Sequence, residues 1–250
     1  MEALGLLGAK DSARLSLKKI PGRRIISFRN NLLPWFESHG RPFPWRRPTE
    51  PVYRVVVTEI LLQRTRADVV ARSYNDFFSL YPSWKMLSQA SRHELENSLK
   101  PLGLWQRRAE TLLNLASAIS QRRGCLPTDR CEIEQLPGVG QYVANAIELV
   151  VWDRPLPLLD TNMARILERY FGPRLLSDIR YDRYLQELAL RMVDCAQAKL
   201  INWGILDLAA LVCTYSNPRC PDCPLSRGCN YSRGISCSRE DQLLRQNGSR

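Results

Sequence analysis

Four cysteines lie within seventeen residues in the C-terminal part of the chain. Cys213, Cys220, Cys223 and Cys229 follow the pattern C-x6-C-x2-C-x5-C. Four soft thiolates in one loop suit either a tetrahedral zinc ion or an iron–sulfur cluster. Disulfides are the poorer interpretation, because the chain is large and carries no recognisable export signal. The other four cysteines are interpreted as free thiols: Cys125, Cys131, Cys195 and Cys237.

Two acidic residues are candidate functional carboxylates because of the residues around them. Asp160 ends an apolar run and opens a candidate helix, where its side chain can accept hydrogen bonds from the first N–H groups. We expect the helix dipole to keep this carboxylate ionised. Glu59 stands in an apolar run with no cation three or four residues to either side. It lies either at the solvent edge of a helix or in a pocket that raises its pKa and lets it donate a proton.

A glycine turn precedes one of the candidate helices. The segment Leu136-Pro137-Gly138-Val139-Gly140 comes directly before a helix that begins near Gln141. A compact turn of this kind leaves backbone N–H groups at the helix start able to face a phosphate oxygen. A generic helix entry is the alternative interpretation.

Apolar residues recur at helical spacing along most of the chain, and no stretch has the period of two that indicates a strand. The sequence therefore predicts an all-α fold. We expect a basic N-terminal segment, 1–24, of little regular structure, and a basic tail, 231–250, that is disordered. The candidate helices are Tyr53 to about Leu80, Trp84 to Ser98, Trp105 to Ile119, 139–152, 161–170, 180–196 and 199–212.

The composition fits a folded protein with a polyanionic partner. The chain has 250 residues, 44% of them hydrophobic, and a formal net charge of +11. A basic excess of this size favours binding to nucleic acid through counterion release. No apolar stretch is long enough to span a bilayer and no signal peptide is recognisable, so we expect a cytoplasmic, nucleoid-associated monomer that makes no membrane contact.

Several of these motifs together resemble the helix-hairpin-helix DNA glycosylase superfamily of endonuclease III and adenine glycosylase. The resemblance rests on the cysteine spacing, on the lead-in from Asn202 to Val212, and on the glycine turn followed some twenty residues later by Asp160. It extends from about Phe28 to Cys229. It implies a [4Fe–4S] cluster and two helical lobes with the base entering between them. The lobes would comprise 25–49 with 156–230, and 50–155, with the helix-hairpin-helix at 128–150.

The resemblance also implies roles in hydrolysis of an N-glycosidic bond. Asp160 would stabilise the oxocarbenium character that develops on the sugar, and Asn162 would orient it. Glu59 would assist the leaving base, and Tyr142 would line the base site. Lyase relatives carry a lysine where this chain has Tyr142, so the resemblance implies a monofunctional glycosylase without strong AP-lyase activity that uses water as its nucleophile.

DNA contacts follow from the same resemblance. Gln63 and Arg64 fall where the family probes the gap left by a flipped base, and Leu104-Trp105-Gln106 resembles the wedge that props the duplex open. Gly138, Val139 and Gly140 would bind phosphate, and the family implies a monovalent cation at the same hairpin.

Two details favour the archaeal-type thymine/guanine mismatch enzymes within this superfamily. They are Thr58-Glu59-Ile60-Leu61-Leu62 with Arg64, and Gly103-Leu104-Trp105 followed by Arg108-Ala109-Glu110. The predicted partner is therefore double-stranded DNA with thymine or uracil opposite guanine, as a substrate of base excision repair. An adenine glycosylase acting opposite guanine or 8-oxoguanine, a bifunctional glycosylase/lyase and a non-catalytic damage-binding module are the alternatives.

Overall fold

A computed structural model of the chain describes residues 20–235. These residues form eleven α-helices and short 3-10 turns, and no β-strand occurs among them. The predicted all-α fold is therefore confirmed. Most of the basic segment (1–19) and most of the basic tail (236–250) lie outside the described residues. No helix in the described part of the chain combines the length and apolarity needed to cross a membrane.

The chain divides into two compact units. The hairpin unit is Pro42–Arg154, and the cysteine-loop unit combines the segment up to Arg41 with the segment from Pro155 onward. The first boundary lies at Pro42 rather than near residue 50, because Trp45 packs in the core of the hairpin unit with Tyr53 and Tyr74.

The hairpin unit is built around one helix that is buried on nearly all sides. Residues 55–61 of α2 (Val52–Leu62) are all buried, and this helix packs against α3 (Ala67–Leu80), α6 (Trp105–Gln121) and α8 (Gln141–Trp152). A helix buried on nearly all sides belongs in a core, which explains the Val, Ile and Leu residues that flank Thr58 and Glu59. The helices of this unit are α2 Val52–Leu62, α3 Ala67–Leu80, α4 Trp84–Ser88, α5 Arg92–Leu99, α6 Trp105–Gln121, α7 Arg130–Glu134 and α8 Gln141–Trp152.

Three details of this unit differ from the sequence prediction. The helix predicted from Tyr53 to Leu80 is broken at 63–66, where Arg64 adopts a left-handed φ of 55°. The helix predicted from Trp84 to Ser98 is broken at 89–91, with Ser91 at the N-cap position of α5. Helix α7 was missed, because its five residues are too few to show helical periodicity.

The cysteine-loop unit packs four helices together: α1 Gly22–His39, α9 Thr161–Phe171, α10 Arg183–Val193 and α11 Ala198–Leu211. Helix α1 begins at Gly22, so the basic segment of little structure ends earlier than residue 24. Pro21 precedes the first turn, and Ile25, Phe28 and Leu32 form the buried face that holds it. Helix α11 packs closely on α1 and leads directly into the loop that carries the four cysteines.

Candidate functional site

Asp160 is the N-cap of α9, as its position in the sequence predicted. Its Oδ1 accepts hydrogen bonds from the backbone N–H of Asn162 at 2.9 Å and of Met163 at 2.8 Å. Its Oδ2 accepts from Nδ2 of Asn162 at 2.7 Å. Four hydrogen-bond directions are available to a carboxylate, and three are used here to fix its orientation.

The segment that leads to Asp160 is held by a buried asparagine. Asn202 in α11 accepts from the N–H of Leu158 at 2.7 Å and donates to the carbonyl oxygen of Leu156 at 3.1 Å. Its side chain thereby pairs with an extended backbone that would otherwise be buried without partners. The sequence around Asn202 predicts no role for it beyond the family lead-in.

The pKa of Asp160 shifts in the direction opposite to the one that the helix dipole alone would give. Burial raises the pKa of this carboxyl above its ordinary value, although the hydrogen bonds from Met163 and Asn162 and the nearby Arg165 guanidinium all act to lower it. Desolvation therefore outweighs the capping interactions. That Asp160 is ionised stays a prediction.

Glu59 lies in the core of the hairpin unit and not at its solvent edge. The residue is 8% exposed, and within residues 20–235 its Oε2 has no hydrogen-bond partner. Burial raises the pKa of Glu59 to about 7, and the Arg46 guanidinium opposes that rise. A buried carboxyl that exchanges its proton near neutral pH is suited to acid–base work.

The glycine hairpin is tied to the residues after α2. Nε2 of Gln63 donates to the carbonyl oxygen of Gly138 at 2.9 Å. Gly138 has a φ of +78°, and a Cβ there would lie 2.3 Å from Cγ2 of Thr111, so only glycine fits. Gly140 is the N-cap of α8 and has no side chain to cap that helix. This leaves the positive end of the α8 dipole at the hairpin.

The residues predicted to contact DNA differ in exposure. Leu104 is 53% exposed and Trp105 is 39% exposed, and Gln106, Gln63 and Arg64 are also open to solvent. Val139 is buried, so any DNA contact that it makes involves its backbone. Tyr142 is half-buried and packs against the core of the hairpin unit.

One buried arginine of this unit was not predicted from the sequence. Arg108 is 5% exposed and donates hydrogen bonds to residues of two separate loops. The only local signal is a cation directly before Ala109 and four residues before Leu112, on the buried face of α6.

The four cysteines of the loop lie near one another. Burial raises the pKa of Cys223 to about 12, and the neighbouring Cys213, Cys229 and Cys220 add to the rise. Burial likewise raises the pKa of Cys229, again with contributions from Cys213 and Cys220. All four are free thiols of intermediate exposure.

This donor set fits an iron–sulfur cluster in its chemistry. Within residues 20–235, no three His, Cys, Asp or Glu side chains approach closely enough to hold a single metal ion. Four thiols in one loop are the kind of ligand set that a four-iron cluster takes. The loop is anchored by Arg169, whose guanidinium donates to Sγ of Cys213 at 3.4 Å and to the carbonyl oxygen of Thr214 at 2.7 Å. The cation expected at the hairpin stays a prediction.

Comparisons with known proteins agree with these features. The family model of the HhH-GPD superfamily base excision DNA repair protein matches residues 57–191. The thymine-DNA glycosylase of Aeropyrum pernix is 38% identical over 213 residues, which cover 83% of this chain and 95% of that protein. The structure of a thermostable thymine-DNA glycosylase aligns with a TM-score of 0.76 at 31% identity and covers 85% of this chain and 98% of that chain.

A second group of relatives is more distant. The adenine DNA glycosylase of Homo sapiens is 30% identical over 230 residues. The match covers 88% of this chain but 41% of the human protein.

Proposed function

Because this chain belongs to the HhH-GPD superfamily of base excision DNA repair proteins and is a DNA glycosylase, we propose that it removes thymine or uracil opposite guanine in double-stranded DNA. The choice of base is supported by the 38% identity to a thymine-DNA glycosylase, against 30% to the human adenine enzyme. The match to the thymine enzyme also covers nearly the whole of that relative.

One observation carries the proposed reaction. It is the fixed carboxylate of Asp160, held by two backbone N–H groups and by the Asn162 side chain. When the bond between C1′ and the base breaks, the bonding electrons leave with the base and positive charge develops on the sugar. An oriented carboxylate stabilises that charge without reorganising.

Glu59 is proposed to assist the departure of the base. At neutral pH a carboxyl with a pKa of about 7 is protonated in roughly half of the molecules. It can therefore donate a proton or hydrogen bond to the departing base. Water then adds to C1′ and releases a proton to solvent, from which the Glu59 carboxylate is reprotonated. The products are a free base and an abasic site.

The nucleophile is proposed to be water rather than a protein amine. By the family resemblance, Tyr142 stands where lyase relatives carry lysine. The sequence has no lysine between Lys100 and Lys199. A Schiff base with the sugar needs an amine near C1′. Borohydride should therefore trap no covalent adduct with DNA, whereas an adduct would indicate a bifunctional enzyme.

DNA binding is proposed to use the exposed residues of the hairpin unit. Leu104 and Trp105 present apolar surface that can enter the duplex, and Gln63 and Arg64 lie in the loop after α2. Inserted apolar side chains offset the few kcal/mol lost when a base leaves its stack. Backbone N–H groups of the glycine hairpin would bind phosphate oxygens. The net charge of +11 would add attraction to the DNA backbone.

We further propose that Cys213, Cys220, Cys223 and Cys229 bind a [4Fe–4S] cluster. When bound, the cluster would hold the shape of the loop and take no part in the bond cleavage. The protein is proposed to act as a monomer associated with the nucleoid.

The proposed substrate is tested by base release from duplexes that contain T:G, U:G, A:G or A:8-oxoguanine. We expect free thymine and uracil from the first two and intact DNA from the others. Release of adenine alone would contradict the proposal and indicate an adenine glycosylase. Tight binding to all four without release of any base would indicate a non-catalytic module.

A further inference from the structure

We infer that Arg108 is a positioning residue that fixes two DNA-contacting loops of the hairpin unit to each other, an inference that rests on the proposed function. The probe loop is residues 63–66, between α2 and α3. The wedge loop is residues 102–106, at the start of α6. Arg108 lies in α6, and its guanidinium reaches both loops.

The hydrogen bonds of Arg108 divide between the two loops. Nη2 donates to the carbonyl oxygen of Gln63 and to Oγ1 of Thr65, each at 2.8 Å, in the probe loop. Nη1 donates to the carbonyl oxygen of Leu102 at 3.1 Å and to that of Gly103 in the wedge loop. Thr65 completes the link, because its Oγ1 also donates to the carbonyl oxygen of Leu102 at 3.0 Å.

The burial of Arg108 makes simple packing an insufficient explanation. The residue is 5% exposed, and burial lowers its pKa from the ordinary value. Its hydrogen-bond acceptors within the described residues are three carbonyls and one hydroxyl, with no carboxylate among them. An apolar side chain would fill this space without the desolvation penalty of a cation. The guanidinium adds a planar fork that can hold two backbones at once.

Both loops contain residues in a conformation that side chains disfavour. Arg64 has a φ of 55° and Leu104 has a φ of 51°, and both lie in the left-handed region. Such residues persist where surrounding contacts hold them. Arg108 bonds residues adjacent to each of them, namely Gln63 and Thr65 around Arg64, and Gly103 before Leu104. The two strained residues are therefore supported by the same side chain.

The same set of contacts extends to the glycine hairpin. Gln63 accepts from Arg108 through its carbonyl oxygen and donates through Nε2 to the carbonyl oxygen of Gly138. Probe loop, wedge loop and hairpin are thus connected before any DNA is bound. Preorganisation of this kind lowers the ordering entropy lost when a base is extruded.

The test compares one target base in two DNA contexts. Single-turnover release of uracil is measured from a U:G duplex and from the same sequence with uracil in an unpaired loop, where no pair has to be opened. For Arg108→Lys, which keeps the charge but loses the fork, we expect release from the paired duplex to slow by about 10-fold. We expect release from the unpaired loop to change by less than about 2-fold. A 2-aminopurine beside the uracil should show a smaller fluorescence increase on binding.

Controls separate positioning from loss of fold. Arg107→Lys makes the same change one residue earlier at an exposed position and should match the unsubstituted protein on both substrates. Thr65→Val removes one acceptor of Arg108 and should slow uracil release from the paired duplex but not from the unpaired loop. This variant tests the positioning role even if Arg108→Lys does not fold. Its effect and that of Arg108→Lys should be less than additive in the double variant.

Equal slowing on both substrates, or no slowing on the paired one, would overturn the inference. If the protein released adenine and not uracil, the proposed substrate would fail, but the same paired and unpaired comparison with adenine would still test Arg108.

Discussion

Asn162 connects the carboxylate of Asp160 to Arg165. Its Nδ2 donates to Oδ2 of Asp160 at 2.7 Å, and its Oδ1 accepts from Nη1 of Arg165 at 3.2 Å. Arg165 also donates from Nε to the carbonyl oxygen of Cys213 at 3.0 Å. Two side chains therefore join the proposed catalytic group to the first residue of the cysteine loop. The order of that loop and the orientation of Asp160 are expected to change together.

This connection predicts the result of removing one cysteine. Cys223→Ser should lose most of the bound iron and should also lower the rate of base release, because a disordered loop no longer anchors Arg165. Iron analysis and single-turnover kinetics measure the two effects. Cys131→Ser changes an exposed cysteine of α7 and should retain both iron and activity. Full activity in Cys223→Ser with no iron would show that the loop does not support Asp160.

Substitution of the first hairpin glycine should destabilise the protein. In Gly138→Ala the new Cβ would meet Cγ2 of Thr111 at 2.3 Å, on a backbone with a φ of +78°. We expect a loss of about 2 kcal/mol in the free energy of unfolding. Gly140→Ala is the matched control, because no atom lies within 4 Å of a Cβ at that position. Equal effects of the two changes in thermal unfolding would contradict this account.

The rate of base release should depend on the protonation of Glu59. Because the pKa is raised to about 7 and the protonated form is the donor, the rate should fall by about tenfold per pH unit well above pH 7. Single-turnover measurements from pH 5 to pH 9 would show this decrease in rate. Arg46→Met removes the cation that opposes the rise in the Glu59 pKa, so the decrease should begin at higher pH. A rate that increases with pH through this range would exclude Glu59 as the donor.

Glu59 should also make stability depend on pH. A folded-state pKa of about 7, against 4.5 for the free group, means that the folded protein binds the proton more tightly. Ionisation of Glu59 therefore lowers the free energy of unfolding. This loss is absent below pH 4.5, grows between pH 4.5 and 7, and is complete above pH 7. Glutamine cannot ionise, so Glu59→Gln avoids this loss. The stability of Glu59→Gln minus that of the unsubstituted protein should therefore increase by about 3 kcal/mol from pH 4.5 to pH 8.

Denaturant unfolding of both proteins at the two pH values measures this effect. Glu94→Gln, at an exposed position, should show no such difference. A Glu59→Gln variant with the same stability increment at pH 4.5 and pH 8 would indicate that Glu59 is not desolvated in solution.

Local sequence signals predicted much of the fold and part of the candidate site. The cap at Asp160 and the helix through the apolar run around Glu59 depend on a few adjacent residues, and both are confirmed. The sequence left open whether Glu59 lies at the solvent edge or in a pocket. The all-α fold follows from periodicity in the same way. These features are local because helix caps and helix faces are set within one or two turns.

Other features depend on contacts between residues that are far apart in the chain. The break at Arg64 is not visible in a periodicity that continues through it, and it is held by Arg108, which lies 45 residues from Gln63. The net pKa shift of Asp160 reflects burial, which the sequence around it does not report. A tertiary contact overrides local preference in both cases.

The role of Asp160 is tested most directly by the substitution Asp160→Asn. Asparagine is also a good N-cap, so helix α9 and DNA affinity should be retained, with a dissociation constant within a few-fold of the original. Single-turnover release of uracil from a U:G duplex should fall by at least about 100-fold, because a neutral amide cannot stabilise the developing charge. Asp129→Asn makes the same change at the exposed cap of α7 and should leave release unaffected. Release by Asp160→Asn at the rate of the unsubstituted protein would contradict the account.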